Sequence, residues 1–160
     1  MSFQTRAGQS VVEGDFSKLE ALITRLGEDH HVDIGVFQTA KTGGGQSIAE
    51  YGAYNEFGSI AQKDRPPKRS FIRMPLASKQ DKIAKYVMGK MQGHLEKGDI
   101  KAIFADIGIA GESVIQEAFD TRGFGSWKEN AEATVARKKS SAPLIDTGML
   151  RAAITHRVDG

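Results

Sequence analysis

The residues of this chain that could do chemistry are two adjacent histidines, an Asp-Thr-Gly triplet, a glycine run and a set of clustered cations. His30-His31 is the best hint of a metal site. Neighbouring side chains on an extended segment point to opposite faces, so these two would not chelate one ion together. His94 and His156 could join them only through folding, and no metal site is expected. Asp146-Thr147-Gly148 has the composition of an aspartic-protease loop. That chemistry needs two such loops in a β-rich fold, whereas the residues that follow pattern as helix. Asp146 or Thr147 as a cap for that helix is the better reading. Gly43-Gly44-Gly45-Gln46-Ser47 has no lysine in the phosphate-loop position and lacks dinucleotide-site spacing, so it reads as a polar hairpin tip. Glu112 and Glu117 flank an apolar helical stripe, where a solvated face accounts for them. No Ser, His and Asp set carries a nucleophile turn. Neither an enzymatic activity nor a cofactor is expected.

The basic groups carry more weight. Lys63, Arg65, Lys68, Arg69 and Arg73 stand against Asp64 alone within residues 63–73, a net +4. Lys79, Lys82, Lys85 and Lys90 follow and could face a DNA channel or another polyanion. Aromatic residues are not interleaved with them, which argues against a stacking platform for single strands. The alternative is a solvated helix face with an arm that docks on a neighbouring subunit. Residues 1–60 hold four basic and eight acidic groups, net −4, and residues 61–160 hold 18 and 12, net +6. A bipolar chain suits head-to-tail contact between copies or contact with a polyanion.

These groups must be positioned by a modest set of elements. Residues 1–8 read as flexible and residues 9–13 as a short strand. Ser17 with Glu20 makes a capping-box pattern, followed by the apolar stripe Leu19, Leu22, Ile23 and Leu26. Val32, Ile34 and Val36 alternate as one face of a strand. Residues 48–57 read as a short helix with Ile48, Tyr51 and Gly52 on one face. Pro66-Pro67 removes two backbone donors, so residues 59–70 read as an extended arm. Two long helices are expected over residues 77–96, with Ile83, Val87, Met91 and Leu95 inward, and over residues 100–120, the strongest stripe in the chain. Gly98 would end the first and Asp99 cap the second. Short helices near residues 130–138 and 149–153 and a last strand over 154–158 complete the set. The order predicts an α+β fold: a small, mostly antiparallel sheet packed against two long helices, with a long Pro-containing arm.

Composition agrees with one domain over residues 1–160, since 39% hydrophobic and 26% charged residues are ordinary globular values. The absence of cysteine excludes disulfides and thiolate metal sites. Neither a secretory leader nor a membrane span is expected.

Three stretches taken together are more specific than any single motif. They are Ile48–Phe57 continued by Gly58; Arg65-Pro66-Pro67-Lys68-Arg69-Ser70-Phe71-Ile72-Arg73; and Trp127 followed by Ala133-Thr134-Val135-Ala136-Arg137-Lys138 and Pro143-Leu144-Ile145-Asp146-Thr147-Gly148-Met149-Leu150-Arg151-Ala152-Ala153-Ile154-Thr155. In this order and spacing they resemble the phage virion-morphogenesis and tail-completion (neck) proteins. Those carry an N-E-F-G ending, a P-x-R-x-F-[LI]-R arm and a W…T…R-K…P-L-I-D-T-G-x-L-x-x-[SA]-I-T tail. The resemblance covers roughly residues 32–158, and its C-terminal motif is the most diagnostic part. Lys68 departs from the family's usually tighter arm. The chain also stops at Gly160, soon after the last strand, which puts an extension-mediated contact in doubt. The resemblance implies a structural virion protein, a homohexameric ring at the head–tail interface of a long-tailed bacteriophage. It would be assembled in the host cytoplasm around the DNA channel. Its partners would be its own copies, adjoining neck and tail proteins and, non-specifically, the DNA, with no membrane contact. Tail terminator, head-closure stopper or a non-specific DNA-binding module are the alternatives. The expected subunit or ring contacts are Arg65, Lys68, Arg69, Phe71 and Arg73. Trp127, Leu144, Ile145, Asp146, Thr147, Gly148 and Leu150 are the family-motif residues.

Overall fold

The chain's strongest apolar stripe becomes the axis of the structure. The computed structural model describes residues 17–37, 41, 45, 47–58, 67–138 and 140–159. Within them the elements run α1 (Ser17–Leu26), β1 (His31–Val36), α2 (Ile48–Phe57), α3 (Arg73–Ser78), α4 (Gln80–Lys97), α5 (Ile100–Asp120), α6 (Glu132–Arg137), α7 (Met149–Ala152) and β2 (Ile154–Asp159). The fold is α+β: a two-stranded antiparallel sheet packed against helices, of which α4 and α5 are long. The expectations for residues 1–8, 9–13, 43–44 and 59–66, including Arg65, lie outside the described residues. Residues 67–70, the described end of the arm, form no regular element.

Helix α5 serves two apolar clusters at once. Its C-terminal half supplies Ile115, Ala118 and Phe119 to a core completed by Ile48, Phe71, Trp127, Leu144, Leu150, Ala153 and Ile154. Its N-terminal half supplies Ile100 and Ile103 to a second cluster with Val87 of α4, backed by Leu22, Ile83, Met91 and Leu95. The corner between α4 and α5 follows the sequence expectation. Gly98 takes the left-handed conformation at φ 66°, and the Asp99 carboxylate accepts the Ala102 N–H at 3.0 Å.

The sheet pairs His31 with Asp159 through to Val36 with Ile154. Val32, Ile34 and Val36 share its helix-facing side with Ile154, His156 and Val158. Close approach to α5 depends on glycine. A Cβ on Gly108 would fall within the His156 side chain, and one on Gly111 would overlap Ile34 Cδ1. The glycines of α4 are of another kind, because Gly89 and Gly93 face open space.

Two boundaries differ from the sequence reading. The expected helix over residues 77–96 is two helices, α3 and α4, meeting at Lys79 with φ −120° and ψ 24°. Pro75 sits in the first turn of α3, where its missing N–H costs no helical bond. Nor do Asp146 or Thr147 cap α7. Gly148 holds the N-cap position in the left-handed conformation, with no side-chain cap bond, and both residues before it are exposed.

Two glycine substitutions should therefore have opposite signs. Gly108→Ala should lower stability by about 1–3 kcal/mol through overpacking against His156. Gly89→Ala should raise it by roughly 0.5–1 kcal/mol, the ordinary gain of removing glycine from a helix interior. Urea midpoints of the two variants against the parent chain check both.

Candidate functional site

Residues 70–73 close on one buried carboxylate of α2, and the loop after α5 packs behind them. Ile48, Gly52, Asn55 and Glu56 form the buried face of α2, and the Glu56 side chain is 4% exposed. It has donors on both oxygens. Ser70 Oγ (2.6 Å), Arg73 N–H (3.1 Å) and Arg73 Nε (3.1 Å) donate to Oε1. The Phe71 and Ile72 N–H groups donate to Oε2 at 2.6 and 2.9 Å. Ser70 Oγ in turn accepts the Met74 N–H at 3.0 Å. Ile72, the N-cap of α3, offers no side-chain bond. The amides that open α3 are satisfied instead by a carboxylate from another helix and by one serine. Burial alone would push the Glu56 carboxyl up; the donors from Ser70, Ile72 and Arg73 outweigh it and hold the group below its ordinary range.

Arg69 and Phe71 complete the junction from inside. The Arg69 guanidinium donates through Nε to Lys128 O at 2.8 Å and through Nη2 to Glu129 O at 3.0 Å and Asn130 Oδ1 at 3.3 Å. Its backbone N–H donates to Asn55 O at 2.7 Å. Phe71 meets Phe119 edge-on at 5.7 Å between centroids, and Phe119 meets Trp127 at 5.5 Å. Trp127 Nε1 donates to Ser70 O at 3.1 Å. The tryptophan is aimed by a left-handed turn in which Arg122, Gly123, Phe124 and Gly125 all have positive φ. A Cβ on Gly123 would collide with the indole.

The expectation that Arg69 and Phe71 reach a neighbouring subunit is corrected by these contacts. Arg69 is 5% exposed and Phe71 1%, so both are committed within the chain. Lys68 is exposed. Arg73 is largely exposed as well, its guanidinium 4.3 Å over the Phe57 ring. Of the C-terminal motif, Trp127, Leu144 and Leu150 are core and Ile145 packs against it. Leu144 holds a positive φ of 64°.

The lysines proposed to face DNA do not form an open cationic strip. Lys82 pairs with Glu117 at 2.6 Å, and Lys79 lies 4.4 Å over the Phe124 ring. Lys90 donates to Asp106 at 2.8 Å and to Tyr86 Oη at 2.6 Å. Lys85 is exposed. Asp106 is itself buried, and His94 Nε2 lies 2.7 Å from its second oxygen. Burial would raise the Asp106 carboxyl, but Lys90 and His94 outweigh it and hold the group low. The sequence reading missed this cluster, although a carboxylate three residues after Ile103 on the core stripe was its visible signal.

Compared with known proteins, the chain matches no family model, no curated protein and no solved structure.

Because folding lowers the Glu56 carboxyl below its ordinary 4.5, the stability this group adds is full above that value. It is lost as pH falls through the lower, folded value. Glu56→Gln should cost about 3–5 kcal/mol at neutral pH, as for removal of one partner from a buried charged network. It should also flatten the acid limb of a stability–pH curve measured by urea unfolding. Arg69→Ala should destabilise the free monomer by about 1–3 kcal/mol by removing the hydrogen bonds that tie a buried guanidinium to residues 128–130. An unchanged melting curve for that variant would contradict the burial of Arg69.

Proposed function

We propose that this chain is a structural virion protein that forms a ring at the head–tail interface of a long-tailed phage. In this reading it completes the tail and joins it to the head around the DNA channel. The observation that carries the proposal is the convergence of all three signature stretches. Asn55 and Glu56 of the first stretch, Arg69 to Arg73 of the second and Trp127, Leu144 and Leu150 of the third meet in one junction or its adjoining core. A chance likeness spread over residues 48–155 has no reason to place its motif residues in mutual contact. The signature reads as the specification of a fold, and the assembly surface lies elsewhere on the chain.

Two features fit an assembling subunit. The exposed residues include the large apolar side chains Ile23, Leu26, Phe57, Met88 and Ile109, which a subunit could bury against its neighbours. The charge is bipolar along the chain, as heterologous ring contacts can use. The proposed partners are other copies, in a hexamer, and the adjoining neck and tail proteins, with DNA passing through the lumen. The intramolecular pairing of Lys82 and Lys90 argues against DNA binding as the primary role.

Solution mass of the purified chain, alone and after mixing with separated tails and separated heads, tests the proposal. A ring-sized species, or a monomer that assembles on one of the two, is expected. A chain that stays monomeric and binds neither overturns it. Within an assembling system, Met88→Glu or Phe57→Glu should block ring formation while leaving the melting temperature of the monomer within a few degrees, since a surface change costs about 0.5 kcal/mol or less.

A further inference from the structure

The outward face of the sheet carries a group of side chains with no part in the junction around Glu56. His31 and Asp33 lie two residues apart on β1, so they share a face. The strand register sets Asp159 of β2 directly across from His31. One ligand atom from each of the three lies within 4.8 Å of the others, and His31 Nε2 is 3.6 Å from Asp159 Oδ2. All three are exposed. The adjacent His30 takes no part: it turns inward, its ring centroid 5.4 Å from that of Phe104.

A second observation concerns what these carboxylates lack. Arg157 is the cross-strand partner of Asp33 and its natural counter-ion. Its guanidinium lies instead 4.3 Å over the ring of Phe37. Among the described residues neither Asp33 nor Asp159 has a lysine or arginine ion pair, and the basic group beside Asp159 is an imidazole. Two carboxylates thus converge on one imidazole, and the cation that strand register would supply is held elsewhere.

We propose that His31, Asp33 and Asp159 form a binding site for a divalent first-row metal ion of the zinc class. The donor set selects the ion. Two carboxylates and one imidazole suit zinc or manganese, whereas magnesium and calcium favour all-oxygen sites and thiolate-seeking ions find no cysteine. Metal–ligand bonds of about 2.0–2.2 Å bring the donors slightly closer than they stand, a rotamer adjustment that exposed side chains can make. Three protein ligands on an open face leave the remaining positions to water or to a donor from another molecule. The ion would tie the outermost pair of a two-stranded ladder, a unit that has little stability alone.

Calorimetric titration of the full, untagged chain with Zn²⁺ tests the site, with Mg²⁺ as comparison. One equivalent of Zn²⁺ is expected, with Mg²⁺ much weaker. Asp33→Asn and Asp159→Asn should each weaken Zn²⁺ binding by at least the roughly tenfold that losing a mere supporting partner costs. Both substitutions are on the surface and should leave the metal-free melting temperature unchanged. The ring resonances of His31, and not those of His94 or His156, should shift on Zn²⁺ addition. Absence of saturable binding, unaltered affinity in both Asn variants, or shifts confined to the other histidines would each overturn the site.

Discussion

The Glu56 carboxylate is the constraint on which the rest of the structure depends. A short helix with a proline in its first turn and no cap of its own would fray in isolation. Here α3 is held because a neighbouring helix supplies the acceptor its opening amides need. The same backbone turn fixes Phe71 in the core and presents Ser70 O to the Trp127 indole. Removing the carboxylate would therefore loosen more than one helix. A buried carboxylate is tolerated because its donors are fixed in place, so its charge never lacks partners.

Helix α5 spreads that order through the molecule. Its apolar stripe joins two clusters, and its polar flank fastens the remaining elements one by one. Asp106 takes Lys90 and His94 of α4, and Glu117 takes Lys82. Glu112 accepts His156 of β2 at 2.8 Å, while Gln116 and Asp120 hold Arg151 of α7. The more exposed of these pairs, Lys82–Glu117 and Arg151–Asp120, add little stability each. Their effect is on orientation, since a helix packed only through apolar side chains can rotate or slide at small cost.

Much of this was legible in the sequence, and the failures have physical causes. The α5 stripe, the Gly98-Asp99 corner and the alternation of β1 follow from local periodicity and cap chemistry, which need no knowledge of the rest of the chain. Glu56 was half legible: it falls four residues after Gly52 and eight after Ile48, on the buried face of its helix. A carboxylate there signals a partner without saying which. Arg69 misled because a charge beside proline reads as exposed. What buries Arg69 is a set of carbonyls near residue 129, brought to it by the left-handed turn after α5. The convergence of His31 and Asp159 has the same character, since strand register between remote segments leaves no local trace.

That register also orders events in time. Val36 pairs with Ile154 and His31 with Asp159, so almost the whole described chain lies between the two strands. During synthesis β1 emerges early and then waits, its amides and carbonyls unpaired, until β2 is made. Closing so long a loop is entropically unfavourable until α5 has formed a surface for both strands to settle on. The helical core is thus the template and the sheet its final seal. Until that seal forms, β1 is the segment most open to pairing with another nascent chain.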